Sequence, residues 1–192
     1  MPIPNPAAVA FLSQRRSYPA KVMTAPAPDR DQLLAILTAA TRVPDHGKLE
    51  PWRLVVVETP AMARLADLAE ARAIQMGGDA EKIGKGRGQF DKGHLAVVVI
   101  ASPKPSDKVP PVEQLLSAGA LCLGIVTAAE AAGWGANWLS GWPSHDRDFI
   151  TAAFTCTPAE TVAGIIHIAT PAADMPDRPR PDLGRLITWA AP

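Results

Sequence analysis

The stretch Val112 to Ala132 constrains this chain most. It is almost all Ala, Leu, Ile, Val and Gly with few charges, and it reads as the longest helix. A helix that is apolar all round belongs in a protein interior or a subunit interface, so other elements must cover it. Those elements follow from periodicity and punctuation. Pro6 to Gln14 reads as a first helix, with Asn5 as N-cap, Pro6 at the first helical position, and Val9 and Leu12 facing inward. Asp29 to Thr41 is a second, with Leu33, Leu34, Ile36 and Leu37 at helical spacing. Trp52 to Glu58 is a strand, fully apolar from Leu54 to Val57 and hence expected at the centre of a sheet. Thr59 to Met76 is a helix capped by Thr59, loosening into a mobile extension through Gly77 and Gly78 to Gly88. Leu95 to Ala101 is a second central strand. Trp134 to Leu139 is another strand, Ser144 to Phe154 a short helix capped by Ser144, and Thr161 to Ala169 the last core strand. The order α-α-β-α-β-α-β-α-β predicts an α+β or α/β fold in three layers.

The 192 residues, 47% of them hydrophobic, are expected to form one domain (1–192) with a sizeable core. Lys+Arg and Asp+Glu balance at 19 each, which gives no electrostatic reason to expect nucleic acid or an anionic membrane as partner. Cys122 and Cys156 lie in apolar segments without metal-ligand spacing and read as buried thiols of a reducing compartment; no metal is expected. No basic-then-apolar leader is read at the N-terminus, and the apolar runs read as too short or interrupted to span a bilayer. The expected location is the cytoplasm. Prolines cluster at 2–6, 19–28, 103–111 and 171–192. The last cluster forms an extended arm (171–192) whose apolar end, Leu183 to Trp189, needs burial, for which a neighbouring subunit is the expected place.

The chemistry is concentrated in Thr41 to Trp52, where Arg42, Asp45, His46, Lys48 and Glu50 stand within nine residues between a helix and a strand. Pro44 and Pro51 restrict its backbone and Gly47 permits a turn that other residues cannot make, and a rigid charged loop of this kind reads as a binding edge. Arg15-Arg16-Ser17 closes the first helix: cations there complement the helix dipole, or an Arg fork and a hydroxyl bind phosphate. Trp134, Trp138 and Trp142 recur every fourth residue, but Gly133, Gly135, Gly141 and Pro143 argue against a helix. His94, His145 and His167 have no partner at ligand or triad spacing. Gly84-Lys85-Gly86-Arg87-Gly88 lacks the ending and the preceding strand of a phosphate loop, and no dinucleotide fingerprint is present.

Arg15-Arg16-Ser17, Arg42-x-Pro44-Asp45-His46 ahead of Pro51-Trp52, and Asn137-Trp138-Leu139-Ser140-Gly141, in that order, resemble the flavin-contacting segments of the nitroreductase family. The likeness is greatest to its short single-domain bacterial members. The resemblance implies an α+β, three-layer α-β-α sandwich with a mainly antiparallel central sheet. It also implies an intertwined homodimer that exchanges the C-terminal arm, FMN as cofactor, and NAD(P)H as a transient co-substrate. Arg15 and Ser17 would contact the flavin phosphate and Arg16 the ribityl chain or ring edge. Arg42 and His46 would reach the FMN held mainly by the other subunit. Backbone groups of Trp138 and Leu139 and the Ser140 hydroxyl would approach the ring. No protein residue is expected as a catalytic acid or base.

Pro19 stands where many members carry a cation for the pyrimidine end; Lys21 and Lys48 are the replacements, and the sequence does not choose between them. Lys48 and Glu50 stand where larger relatives have Asn and Gln. Arg180, with Arg178 nearby in the tail, is an additional phosphate candidate. The implied activity is reduction of nitro-type or related electron-poor small molecules by alternating hydride transfer. A flavin carrier or sensor without turnover, dehalogenation, azoline oxidation and flavin fragmentation stay open as alternatives.

Overall fold

Strand β3 (Leu95–Ala101) is the axis of the fold, with all seven residues buried. Such burial needs cover on both faces and pairing on both edges, and the chain supplies both. The computed structural model describes residues 2–190; Met1, Ala191 and Pro192, the ends of the expected domain and arm, lie outside the described residues. On one side β3 pairs antiparallel with β2 (Trp52–Glu58), Trp52 opposite Ala101. On the other it pairs with β5 (Thr161–Pro171), Ala96 opposite His167. β5 also carries β4 (Gly135–Leu139) and the two-residue β1 (Met23–Thr24). Among the described residues the sheet has five strands and every pairing is antiparallel.

Helices α2 (Arg30–Ala40) and α5 (Pro111–Ala131) cover one face of the sheet through Leu33, Ile36, Leu121 and Ile125. Helices α3 (Thr59–Gln75) and α7 (Arg147–Phe154), with Phe90, cover the other through Leu65, Phe149 and Phe154. The result is the α+β three-layer sandwich with an antiparallel sheet that the resemblance implies. Local signals agree where the chain carries them: Asn5 Oδ1 accepts the Ala8 N–H at the start of α1 (Pro6–Gln14), and Asp29 with Gln32 forms a complete capping box on α2.

Several expectations are corrected. β2 is an edge strand, not a central one, and Val56 is exposed. An apolar run marks contact with helices, which an edge strand also makes; it carries no information about pairing. α1 buries none of its residues, so Val9 and Leu12 face outward in this chain. The extension after Gly78 is a helix, α4 (Ala80–Arg87), pinned because Arg87 bridges Asp67, Glu70 and Asp91. Thr59 is not the cap of α3 but its first residue, its hydroxyl donating to the His94 carbonyl. Ser144 lies inside a separate short helix, α6 (Trp142–His145), and Asp146 caps α7.

Helix α5 buries Ala118, Leu121, Cys122, Ile125 and Ala129 on one face, while Val112, Leu115, Leu116 and Leu123 are exposed on the other. Contrary to the sequence reading, it is long and apolar enough to cross a bilayer by length and composition alone. Its buried face is packed against α2 and strands β3, β4 and β5.

Candidate functional site

The turn after α1 is joined to the sheet by one hydrogen bond. Arg15 closes the helix, the chain extends through Arg16 and Ser17, and the Tyr18 N–H donates to the Ala136 carbonyl of β4 at 2.8 Å. Arg15 Nη1 donates to the Glu130 carboxylate, 3.2 Å from Oε2. Glu130 stands in the last turn of α5 with its side chain 5% exposed. Burial pushes its pKa up, and the Arg15 guanidinium opposes that push. Arg15, Arg16, Tyr18, Glu130, Trp134 and Pro171 line a pocket of about 280 Å³. The tail returns to this turn: Arg16 Nε donates to the Pro176 carbonyl at 3.1 Å, and Arg180 to the Ser13 carbonyl. Arg180 therefore lies beside the turn, whereas Lys21 is exposed in the short turn Ala20–Val22 and Lys48 in the α2–β2 loop.

Further along β4 the side chains alternate. The Trp138 indole lies flat over Gly164 of β5, where an added Cβ would come within 2.2 Å of its Nε1. Glycine there is what lets a large ring lie on the sheet, and the ring's outer surface remains exposed. Ser140 Oγ is 3.1 Å from His145 Nε2. Gly141 is extended, and its glycine answers to a neighbour rather than to a turn: a Cβ would collide with the Gln89 amide nitrogen at 1.8 Å.

The α2–β2 loop is held from within and from α5. The Asp45 carboxylate accepts the Leu49 N–H at 3.2 Å and the Glu50 N–H at 2.8 Å. Lys48 (φ 52°) and Glu50 (φ 47°) are thereby kept in the left-handed region, which costs roughly 1–2 kcal/mol per non-glycine residue. His46 Nδ1 pairs with Glu113 Oε2 at 2.7 Å, and Ser117 Oγ donates to the Pro44 carbonyl at 2.6 Å. Arg42 and His46 are exposed.

The structure thus brings Arg15, Arg16 and Ser17 together with the start of β4, and carries Trp138, Leu139 and Ser140 on the same strand. Arg42 and His46 lie apart from Arg15. Glu130, the partner of Arg15, and Glu113, the partner of His46, stand at opposite ends of α5, about 25 Å apart along the helix. One chain presents two separated groups of candidate residues. Sequence reading missed Glu113 and Glu130, the partners of His46 and Arg15, and Gln89, which lies against Gly141, and it set aside His145, which lies against Ser140. Only His145 had a local signal, five residues after Ser140 across a Pro-containing turn; the others are far in sequence. On the opposite face of the sheet Asn137 and His167 are paired in register, and Asn137 Oδ1 and both ring nitrogens of His167 are buried without a hydrogen-bond partner. Burial drives the His167 pKa down to about 4.

An α+β sandwich with a mainly antiparallel sheet defines a class, and comparison with known proteins gives it a family. The nitroreductase family profile matches residues 12–170. A Haemophilus influenzae protein named "Putative NAD(P)H nitroreductase" is 35% identical, covering 85% of this chain and 88% of its own. Escherichia coli YdjA, which carries the same descriptive name, is 34% identical over the same shares. A Desulfovibrio desulfuricans protein named "putative nitroreductase", solved in complex with FMN, shares the fold at TM-score 0.72 and 22% identity, over 99% of this chain and 100% of that one. The chain belongs to the nitroreductase family.

Proposed function

We propose that the protein is a single-domain, FMN-dependent oxidoreductase that uses NAD(P)H to reduce nitro-type or related electron-poor small molecules, working as a cytoplasmic homodimer. The observation that carries this reading is the junction of the Arg15–Tyr18 turn with β4. It ties the turn that carries phosphate-binding residue types to the strand that leads on to Trp138, Leu139 and Ser140, which supports a phosphate end and a ring end on neighbouring elements.

The residues fit the cofactor. The Glu130 pair uses Arg15 Nη1, so Nε and Nη2 remain to face phosphate oxygens, and the Ser17 hydroxyl two residues on would add a donor. Arg16 lines the same pocket from the side of the tail. The Ser140 hydroxyl and the backbone of Trp138 and Leu139 offer hydrogen-bond groups at the ring end. FMN, when bound, supplies hydride transfer between NAD(P)H and the acceptor, and the protein's part is positioning and electrostatics. The FMN of the Desulfovibrio neighbour and the NAD(P)H in the names of the bacterial relatives support this assignment.

The homodimer reading rests on surface left uncovered. The exposed apolar face of α5, the outward Val9 and Leu12 of α1, and the exposed Leu183, Leu186, Ile187 and Trp189 of the arm all need cover. Edge strand β2 borders a groove of about 400 Å³ lined by Leu33, Leu34, Leu37 and Val56, which suits an apolar arm from a second copy. Such an assembly would place Arg42 and His46 at the other subunit's flavin.

The test is optical. Purified protein supplied with FMN should bind it, bleach on addition of NADPH without air, and regain its colour with a nitroaromatic acceptor. Failure to bind flavin, or release of FAD by acid, would overturn the cofactor assignment. Bleaching without recovery would leave a carrier rather than an enzyme. Replacing His46 with Ala should loosen FMN and weaken the dimer together.

A further inference from the structure

We propose that Glu113 is a positioning residue that selects the tautomer and orientation of His46. The role rests on the reading of His46 as a flavin contact across the subunit interface. His46 Nδ1 lies 2.7 Å from Glu113 Oε2. A carboxylate has no hydrogen to give, so the hydrogen in this bond sits on Nδ1. Nε2, across the ring, is left to meet whatever lies beyond, as an acceptor when the imidazole is neutral and as a donor when it is protonated. Without Glu113 neither the ring's rotation nor its tautomer is specified by any neighbour on α5.

The surroundings are built for orientation rather than for stability. Glu113 and Ser117 are one turn apart on the same side of α5, and between them they hold the His46 ring and the Pro44 carbonyl. Asp45 uses both carboxylate oxygens to hold Leu49 and Glu50. Gly47, Lys48 and Glu50 all have positive φ, and strained backbone of this kind persists where the surrounding contacts over-determine it. Yet His46 and Glu113 are 59% and 44% exposed in their side chains, and exposed ion pairs add little to folding. A contact that is short and well placed but worth little to the fold serves to aim the ring.

The experiment combines nitrogen-15 NMR of the His46 imidazole with FMN titration of Glu113→Ala, Glu113→Gln, His46→Ala and the double variant Glu113→Ala/His46→Ala. Hydrogen on Nδ1 is expected in the unmodified protein, and loss of that preference in Glu113→Ala. FMN affinity should fall roughly two- to tenfold in Glu113→Ala, the range of one hydrogen bond, with the urea midpoint unchanged. Glu113→Gln, which keeps an acceptor oxygen, should recover most of the affinity. The double variant should be no weaker than His46→Ala alone, since the two residues act as one unit. If His46→Ala itself leaves FMN affinity intact, the interface reading of His46 is overturned and this role with it. If His46→Ala weakens FMN but Glu113→Ala does not, or the two losses add, the His46 reading stands and the role of Glu113 is refuted. Hydrogen found on Nε2 in the unmodified protein refutes it directly.

Discussion

Lowering the pH from 7.5 to 4.5 should cost the folded protein about 2.5 kcal/mol through His167 alone. Its imidazole is 1% exposed and neither ring nitrogen has a hydrogen-bond partner. Burial takes its pKa from 6.5 to about 4, with His94 adding a smaller push in the same direction. The folded state therefore refuses a proton that the unfolded chain accepts. Stability is complete above the unfolded value, declines as the pH falls below it, and levels off beneath the folded value, where the buried ring also protonates. Each pH unit in that window removes roughly 1.4 kcal/mol. The comparison is with His167→Leu, which keeps an apolar side chain of similar size and cannot titrate. Urea unfolding should be followed at fixed protein and flavin concentration, since ligand and assembly also shift the midpoint. Whatever other acids do is common to both proteins, so the gap between their unfolding free energies should move by about 2.5 kcal/mol in favour of the variant as the pH drops. Parallel curves, or an imidazole that titrates by NMR near its ordinary value, would refute the reasoning.

Three further outcomes are expected. Arg15→Ala should weaken FMN about ten- to a hundredfold, the loss of a charge-assisted phosphate contact, and should also destabilise the fold by leaving Glu130 buried and unpaired. Arg15→Ala/Glu130→Gln should restore the urea midpoint without restoring flavin binding, whereas recovery of both would return Arg15 to a purely structural role. Glu160→Gln should cost about 2 kcal/mol at neutral pH, because the Arg53 guanidinium holds the Glu160 carboxyl down at about 2. That deficit should shrink as acid protonates Glu160 between its ordinary value and the depressed one, and a deficit independent of pH would point to packing instead. Gly141→Ala should displace Gln89 and disturb the Ser140 edge, seen as weaker FMN binding; adding Gln89→Ala should relieve the clash, and no relief would mean that the glycine answers to something else.

Most helices and strands were legible because their signals are local. Asn5, Asp29 and Gln32 do what capping residues do, and the β-branched run of β3 is buried throughout. Pairing was not legible. β2 and β3 carry the same kind of apolar run, yet one ends the sheet and the other lies at its centre, because edge or centre is decided by what comes later in the chain. Helix α4 was missed for a similar reason: its glycines argue against a helix, and the ion pairs that hold Arg87 involve Asp67 and Glu70 of a different helix. At the site, the types of residue were visible and their partners were not. Arg15 finds Glu130 across 115 residues and His46 finds Glu113 across 67, separations over which one sequence carries no pairing signal.

The partners explain why one chain would not close the proposed site. Glu130 and Glu113 belong to the same rigid helix, so the Arg15 turn and the His46 loop are held about 25 Å apart by its length, and no loop movement that keeps both pairs can bring them together. The exposed Leu115, Leu116 and Leu123 of that helix lie between the two ends. Packing a second α5 against this face about a two-fold axis perpendicular to the helix would run the two copies antiparallel and set the His46 end of one chain toward the Arg15 end of the other. In that arrangement the apolar face and the flavin site are completed in one step. Flavin affinity and dimer stability would then be a single linked quantity, each rising with the other by mass action.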